Sequence, residues 1–218
     1  MTPEIRLVDS TDWITLVLIF SLVIFTLGKY LFGSRFTNFI ALPFNNKYLS
    51  LYGKKGKLLN WFHILLTIFQ LTNLALFIYL SKNILLHEET TQKSALFWWI
   101  FIFLASFESI KILLQLFKGY IFNTYGLVTE LIYNKLTYFN HASIILFLAN
   151  VLLVYVLNDS KSIIFLSFFL FLVINGIGLV GLLKNNQKLI LSHGFYFILY
   201  LCALEIAPLV ILGSYLKG

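Results

Sequence analysis

The stretch 61-WFHILLTIFQLTNLALFIYL-80 has no formally charged residue in twenty positions, and it decides the fold class. About 20 mainly apolar residues wound as an α-helix cross about 30 Å of hydrocarbon. A helix suits that environment because it satisfies its backbone hydrogen bonds within the segment, where no water can. The polar residues in the stretch are ordered: His63, Thr67, Gln70 and Asn73 share one helical face. Hydrogen bonds to neighbouring helices are their expected use.

Five further stretches, 13–32, 95–117, 141–157, 162–183 and 195–216, have the same character. The fourth span in chain order, 141–157, is short and reaches full length only by borrowing Tyr138 and Phe139. Composition agrees with this reading. The chain is 60% hydrophobic and 11% charged, against about 45–50% and about 25% in soluble domains, and its mean hydropathy is +0.89. The expected architecture is all-α: one polytopic helical bundle over residues 1–218 with about six transmembrane helices.

The net charge of +7 raises the question of nucleic acid. The densest basic run, Lys54, Lys55 and Lys57, sits between two apolar segments with no stacking platform around it, so no nucleic-acid partner is expected. Those lysines are candidates for anionic-lipid contact, and membrane lipid is an expected partner. The first span reads as retained rather than as a signal peptide, because its flank (Glu4, Arg6, Asp9, Asp12) is not basic.

Lys and Arg in short loops favour the cytoplasm. Arg35, Lys47, Lys54, Lys55, Lys57, Lys118, Lys135, Lys184 and Lys188 fall on one side of the bundle; Arg6, Lys82, Lys93, Lys161 and Lys217 fall on the other. The imbalance puts both termini on the periplasmic side. The connections 36–60 and 119–140 mix aromatic and polar residues and read as interfacial segments in the cytoplasmic loops.

Charged residues inside spans are expensive and mark helix contacts or functional sites. On the third span Glu108, Lys111, Gln115 and Lys118 share a face. At 1.5 Å per residue Glu108 is about 15 Å deeper than Lys118. Two ionised residues cost about 5–7 kcal/mol on insertion, and the span's Leu, Ile and Phe return only about 4–8 kcal/mol. The stripe should therefore face protein. An i,i+3 pair between Glu108 and Lys111 is the structural reading; a lined path is the functional one.

In the last span Glu205 precedes Pro208 by three residues, and the proline loosens the helix beside a carboxyl group about 18 Å from His193. Either a protonated structural acid or an ion site fits that arrangement. On the fifth span Gly176, Gly178 and Gly181, and on the fourth Ala149 and Asn150, reduce bulk for close helix packing. No cofactor or metal site is expected: the histidines lack ligand spacing, and the single cysteine, Cys202, excludes an intrachain disulfide. Glu88 and Glu89 lack the intramembrane His and Asn partners of a CAAX-type protease, and no G-x-S-G string suggests a rhomboid.

The closing stretch 197-FILYLCALEIAPLVIL-212, and with it 110-IKILLQLFKGYIFN-123, resembles a bacterial family of integral membrane proteins, the domain-of-unknown-function family numbered 4271. Ala207 stands where the family's motif has a larger apolar residue. The resemblance implies similar length and span number, a Gram-negative inner membrane and no assigned activity. The function expected is a non-enzymatic membrane subunit or scaffold of an inner-membrane or envelope assembly, with other membrane subunits as partners. The alternative is a small ion- or proton-coupled transporter or channel using Glu108, Lys111 and Glu205. An intramembrane lipid-active enzyme is third, since no nucleophile accompanies the His and Glu residues.

Overall fold

A computed structural model describes residues 12–42, 48, 52, 60–86, 93–157 and 160–185. Among the described residues six helices follow in order: α1 (Asp12–Leu31), α2 (Gly33–Ile40), α3 (Trp61–Leu86), α4 (Lys93–Ile121), α5 (Tyr125–Tyr155) and α6 (Lys161–Asn185). Among the described residues there is no strand. Five helices, all but α2, are long and apolar enough to cross a membrane. The chain is a multi-pass helical membrane protein. The expected sixth span, 195–216, lies outside the described residues.

Helix α3 is the axis of the bundle and packs against α1, α4 and α5, while α6 lies mainly against α5. Trp13 of α1 meets the Tyr79 ring edge-on at 5.1 Å and the Phe97 ring at 5.6 Å, closing one end of the bundle. Towards the other end, Phe25 of α1 packs on Phe69 of α3 at 4.9 Å and on Phe36 of α2 at 4.9 Å. Helix α2 is amphipathic: Phe36 and Phe39 are buried three residues apart, while Ser34 and Thr37 are exposed. That division suits a short helix lying at headgroup depth.

The structure corrects the reading of residues 119–140. They are not an interfacial loop. Helix α4 runs on to Ile121, and α5 begins at Tyr125 and continues unbroken through Tyr155. The reversal is closed by a helix-terminating motif in which the Asn123 N–H donates to Tyr120 O at 3.3 Å and the Thr124 N–H to Gly119 O at 2.9 Å. Asn123 has φ 52°, the left-handed region that asparagine tolerates better than most residues. Tyr133, Asn134, Tyr138 and Asn140 therefore sit on a membrane-spanning helix, and so does Lys135, which had been counted as a loop cation. The stretch of α5 long and apolar enough to cross a membrane is 128–155, which contains most of 141–157 and extends it towards the N-terminus of the helix.

At 31 residues, α5 is about 46 Å long and overruns about 30 Å of hydrocarbon. Helix α6 packs closely on it. A Cβ placed on Gly178 would stand 2.5 Å from the Tyr138 ring, whereas one on Gly176 would meet nothing within 4 Å. Of these two small residues, only Gly178 is required by the packing.

Candidate functional site

The polar face of α3 touches a different neighbour at nearly every step. His63 Nε2 meets the Tyr48 hydroxyl at 3.3 Å. Thr67 Oγ1 accepts from Asn140 Nδ2 of α5 at 3.5 Å, and Gln70 Nε2 donates to Glu108 Oε1 of α4 at 2.8 Å. The backbone carbonyl of Asn73 accepts from Asn150 Nδ2 of α5 at 3.0 Å, while the Asn73 side chain donates to Phe69 O of its own helix at 2.8 Å. The partners on α5 ascend with those on α3, so these two helices run parallel in a fixed register. Asn150 thus bonds across the helix pair, a role beyond the small bulk read from sequence.

Glu108 is the acidic member of this ladder. Gln70 on another helix makes its hydrogen bond, and Lys111, three residues on, acts on it electrostatically, as does Lys135 of α5. Gln115, two turns along α4, is buried, while Lys118 points outward. Among the described residues Glu108 Oε2 and Gln70 Oε1 have no hydrogen-bond partner.

A second network lies where α2, α3 and α5 meet. Arg35 Nη2 donates to the Tyr133 hydroxyl at 3.0 Å, and Tyr133 donates to the Tyr48 hydroxyl at 3.1 Å. If that direction continues, Tyr48 donates to His63 Nε2, which places the His63 proton on Nδ1. The guanidinium also stands over the rings of Tyr52 and Phe62, at 4.8 and 5.1 Å. Burial opposes the charge on Arg35, but Tyr48 and Tyr133 outweigh it and raise its pKa above the ordinary value. Burial, reinforced by Tyr133, pushes the Tyr48 phenol well above its usual range, with Arg35 opposing. His141 Nε2 donates to the Ile40 carbonyl at 3.2 Å and ties the end of α2 to α5.

The sequence reading missed Arg35, Tyr48 and Tyr133 as a group. Their one legible signal is on α5, where Tyr133, Thr137 and Asn140 have the spacing of a single helical face. Among the described residues no three His, Cys, Asp or Glu side chains converge as a metal site. Glu205, Pro208, Cys202, His87, His193 and the lysines Lys54, Lys55 and Lys57 lie outside the described residues.

Compared with known protein families, the chain matches Domain of unknown function (DUF4271) over residues 14–216. No curated protein and no solved structure matches it.

Proposed function

The chain belongs to the DUF4271 family, and we propose that it is a non-enzymatic subunit or scaffold of an inner-membrane assembly. The observation that carries the reading is the use of the α3 polar face. The side chains of His63, Thr67 and Gln70 contact three different parts of the bundle, and at Asn73 the backbone carbonyl accepts from Asn150 of α5. Polar side chains engaged in this way fix helix positions, which is the use a scaffold makes of them.

Both termini are placed on the periplasmic side. With Lys135 withdrawn from the loop count, Arg35, Lys47, Lys54, Lys55, Lys57, Lys118, Lys184 and Lys188 still outweigh Arg6, Lys82, Lys93, Lys161 and Lys217. Cysteine labelling at positions 55 and 93 tests that orientation. An impermeant reagent on intact cells should modify position 93 and spare 55; the reverse pattern inverts the topology.

The subunit reading is tested by purification from native membranes in mild detergent. A membrane partner should co-purify at fixed stoichiometry, and should still do so when Gln70 and Glu108 are both changed to leucine. A chain that purifies alone and, in proteoliposomes, carries a proton or cation flux abolished by Glu108→Gln would replace this reading with the transporter.

A further inference from the structure

The chain has 14 lysines and only two arginines, Arg6 and Arg35. Arg35 therefore stands where the planar, five-donor guanidinium is used in place of the ammonium found everywhere else along the described helices. Between Asp12 and Glu88 the sequence has no acidic residue, so neither α2 nor the helices that adjoin it along the chain offer this cation a carboxylate. Among the described residues the groups around it are neutral. They are the Tyr133 and Tyr48 hydroxyls and the rings of Tyr52 and Phe62, at 4.8 and 5.1 Å. Glu130, one turn before Tyr133 on α5, is not among the groups that act on Arg35. A half-buried cation held by phenols and rings gains dipoles and no opposite charge, which leaves part of its desolvation cost uncompensated.

The same contacts fix how the guanidinium is presented. Stacking on Tyr52 and Phe62 uses its faces and leaves its edge. On that edge Nη2 donates to Tyr133 at 3.0 Å, Nε is enclosed without a partner, and Nη1 makes no hydrogen bond among the described residues. Tyr133 is held in turn by Tyr48 at 3.1 Å, and both tyrosines are buried. The plane and direction of Arg35 are thus set before any ligand arrives. Ser34, the next residue on α2, is exposed and adds a hydroxyl donor beside it.

An oriented guanidinium with donors to spare matches a phosphate, which accepts two parallel N–H bonds from it where an ammonium supplies only a point charge. We propose that Arg35 anchors a phosphate-binding site on helix α2, with Tyr133 and Tyr48 as the residues that position its guanidinium. The phosphate can belong to a lipid headgroup or to a soluble anion, and the two sources are separated by experiment.

The test uses the purified full chain and phenylglyoxal, which modifies arginine, with the Arg35 and Arg6 peptides resolved by mass spectrometry so that Arg6 is the internal reference. In phosphate-free detergent Arg35 should react. Phosphatidylglycerol in mixed micelles, or inorganic phosphate at matched ionic strength, should slow that reaction about tenfold near saturation and leave Arg6 unchanged. Protection by the lipid and not by the ion assigns a headgroup; protection by inorganic phosphate assigns a soluble ligand; either supports the site. Tyr133→Phe keeps the ring and removes the bond that aims the guanidinium, so Arg35 should stay reactive while protection weakens. In native mass spectrometry Arg35→Gln should weaken binding of the protecting ligand about tenfold. If that variant does not fold, the wild-type protection decides alone. An Arg35 that is inert in the free chain, or that reacts equally fast with and without either phosphate, overturns the proposal. Equal protection by acetate overturns phosphate in favour of a carboxylate, and undiminished binding in folded Arg35→Gln removes Arg35 as the anchor.

Discussion

Gln70 of α3 donates a 2.8 Å hydrogen bond to the Glu108 carboxylate of α4, joining residues 38 apart in sequence across two spanning helices. Removing one partner should hurt more than removing both. Gln70→Leu strands a carboxylate oxygen in the bundle and should cost about 1–3 kcal/mol. Because Lys111 also acts on this carboxylate, the change that should recover part of the loss is Glu108→Leu with Lys111→Leu in the Gln70→Leu background, in a cycle read by unfolding in bicelles. Additive losses would mean that the bond contributes no coupling.

How much of this was legible follows from where each partner lies. The α3 face was readable because four polar residues interrupt an otherwise apolar helix at helical spacing. Glu108 was readable as a residue needing protein contact, and Lys111 at i+3 does act on it, but its hydrogen-bond partner Gln70 was not readable, since nothing in the sequence singles out that residue of α3. Helix α5 was misread because Tyr, Asn, Thr and Lys between 119 and 140 have the composition of a headgroup segment. Only packing against α3 shows that those groups find partners inside the bundle. The Arg35–Tyr133 contact joins residues 98 apart, and no local pattern carries it.

The α5–α6 contact offers a sharp comparison between two glycines. Gly178→Ala puts a Cβ against the Tyr138 ring and should destabilise by about 1–3 kcal/mol, the usual range for overpacking. Gly176→Ala has open space around it and should gain or lose only a few tenths of a kcal/mol. Thermal unfolding in detergent separates the two, and equal effects would contradict the helix register.

At the α4–α5 turn, Asn123 has positive φ. Asn123→Gly should be neutral or slightly stabilising. Asn123→Val should cost about 1–2 kcal/mol, because a branched side chain collides with the backbone in that region. Denaturant midpoints of the two variants give the answer.

Tyr48 predicts an alkaline limit. Its folded pKa is raised, so the folded chain holds this proton more tightly than the unfolded chain does. The associated stability is complete below the ordinary phenol value of about 10 and is lost as pH rises beyond it. Melting temperature should therefore fall above about pH 10, and Tyr48→Phe should flatten that part of the profile. An unchanged slope in the variant would remove Tyr48 as the cause.

The central claim is that Glu108 works as a hydrogen-bond acceptor between helices and not as a carrier of protons or cations. Glu108→Gln decides it, because the amide oxygen can still accept from Gln70 while the charge is gone. Expressed in cells lacking the native chain, the variant should insert at wild-type level, keep its partner and restore the wild-type phenotype. A Gln variant that inserts and folds normally yet fails to restore it would contradict the account.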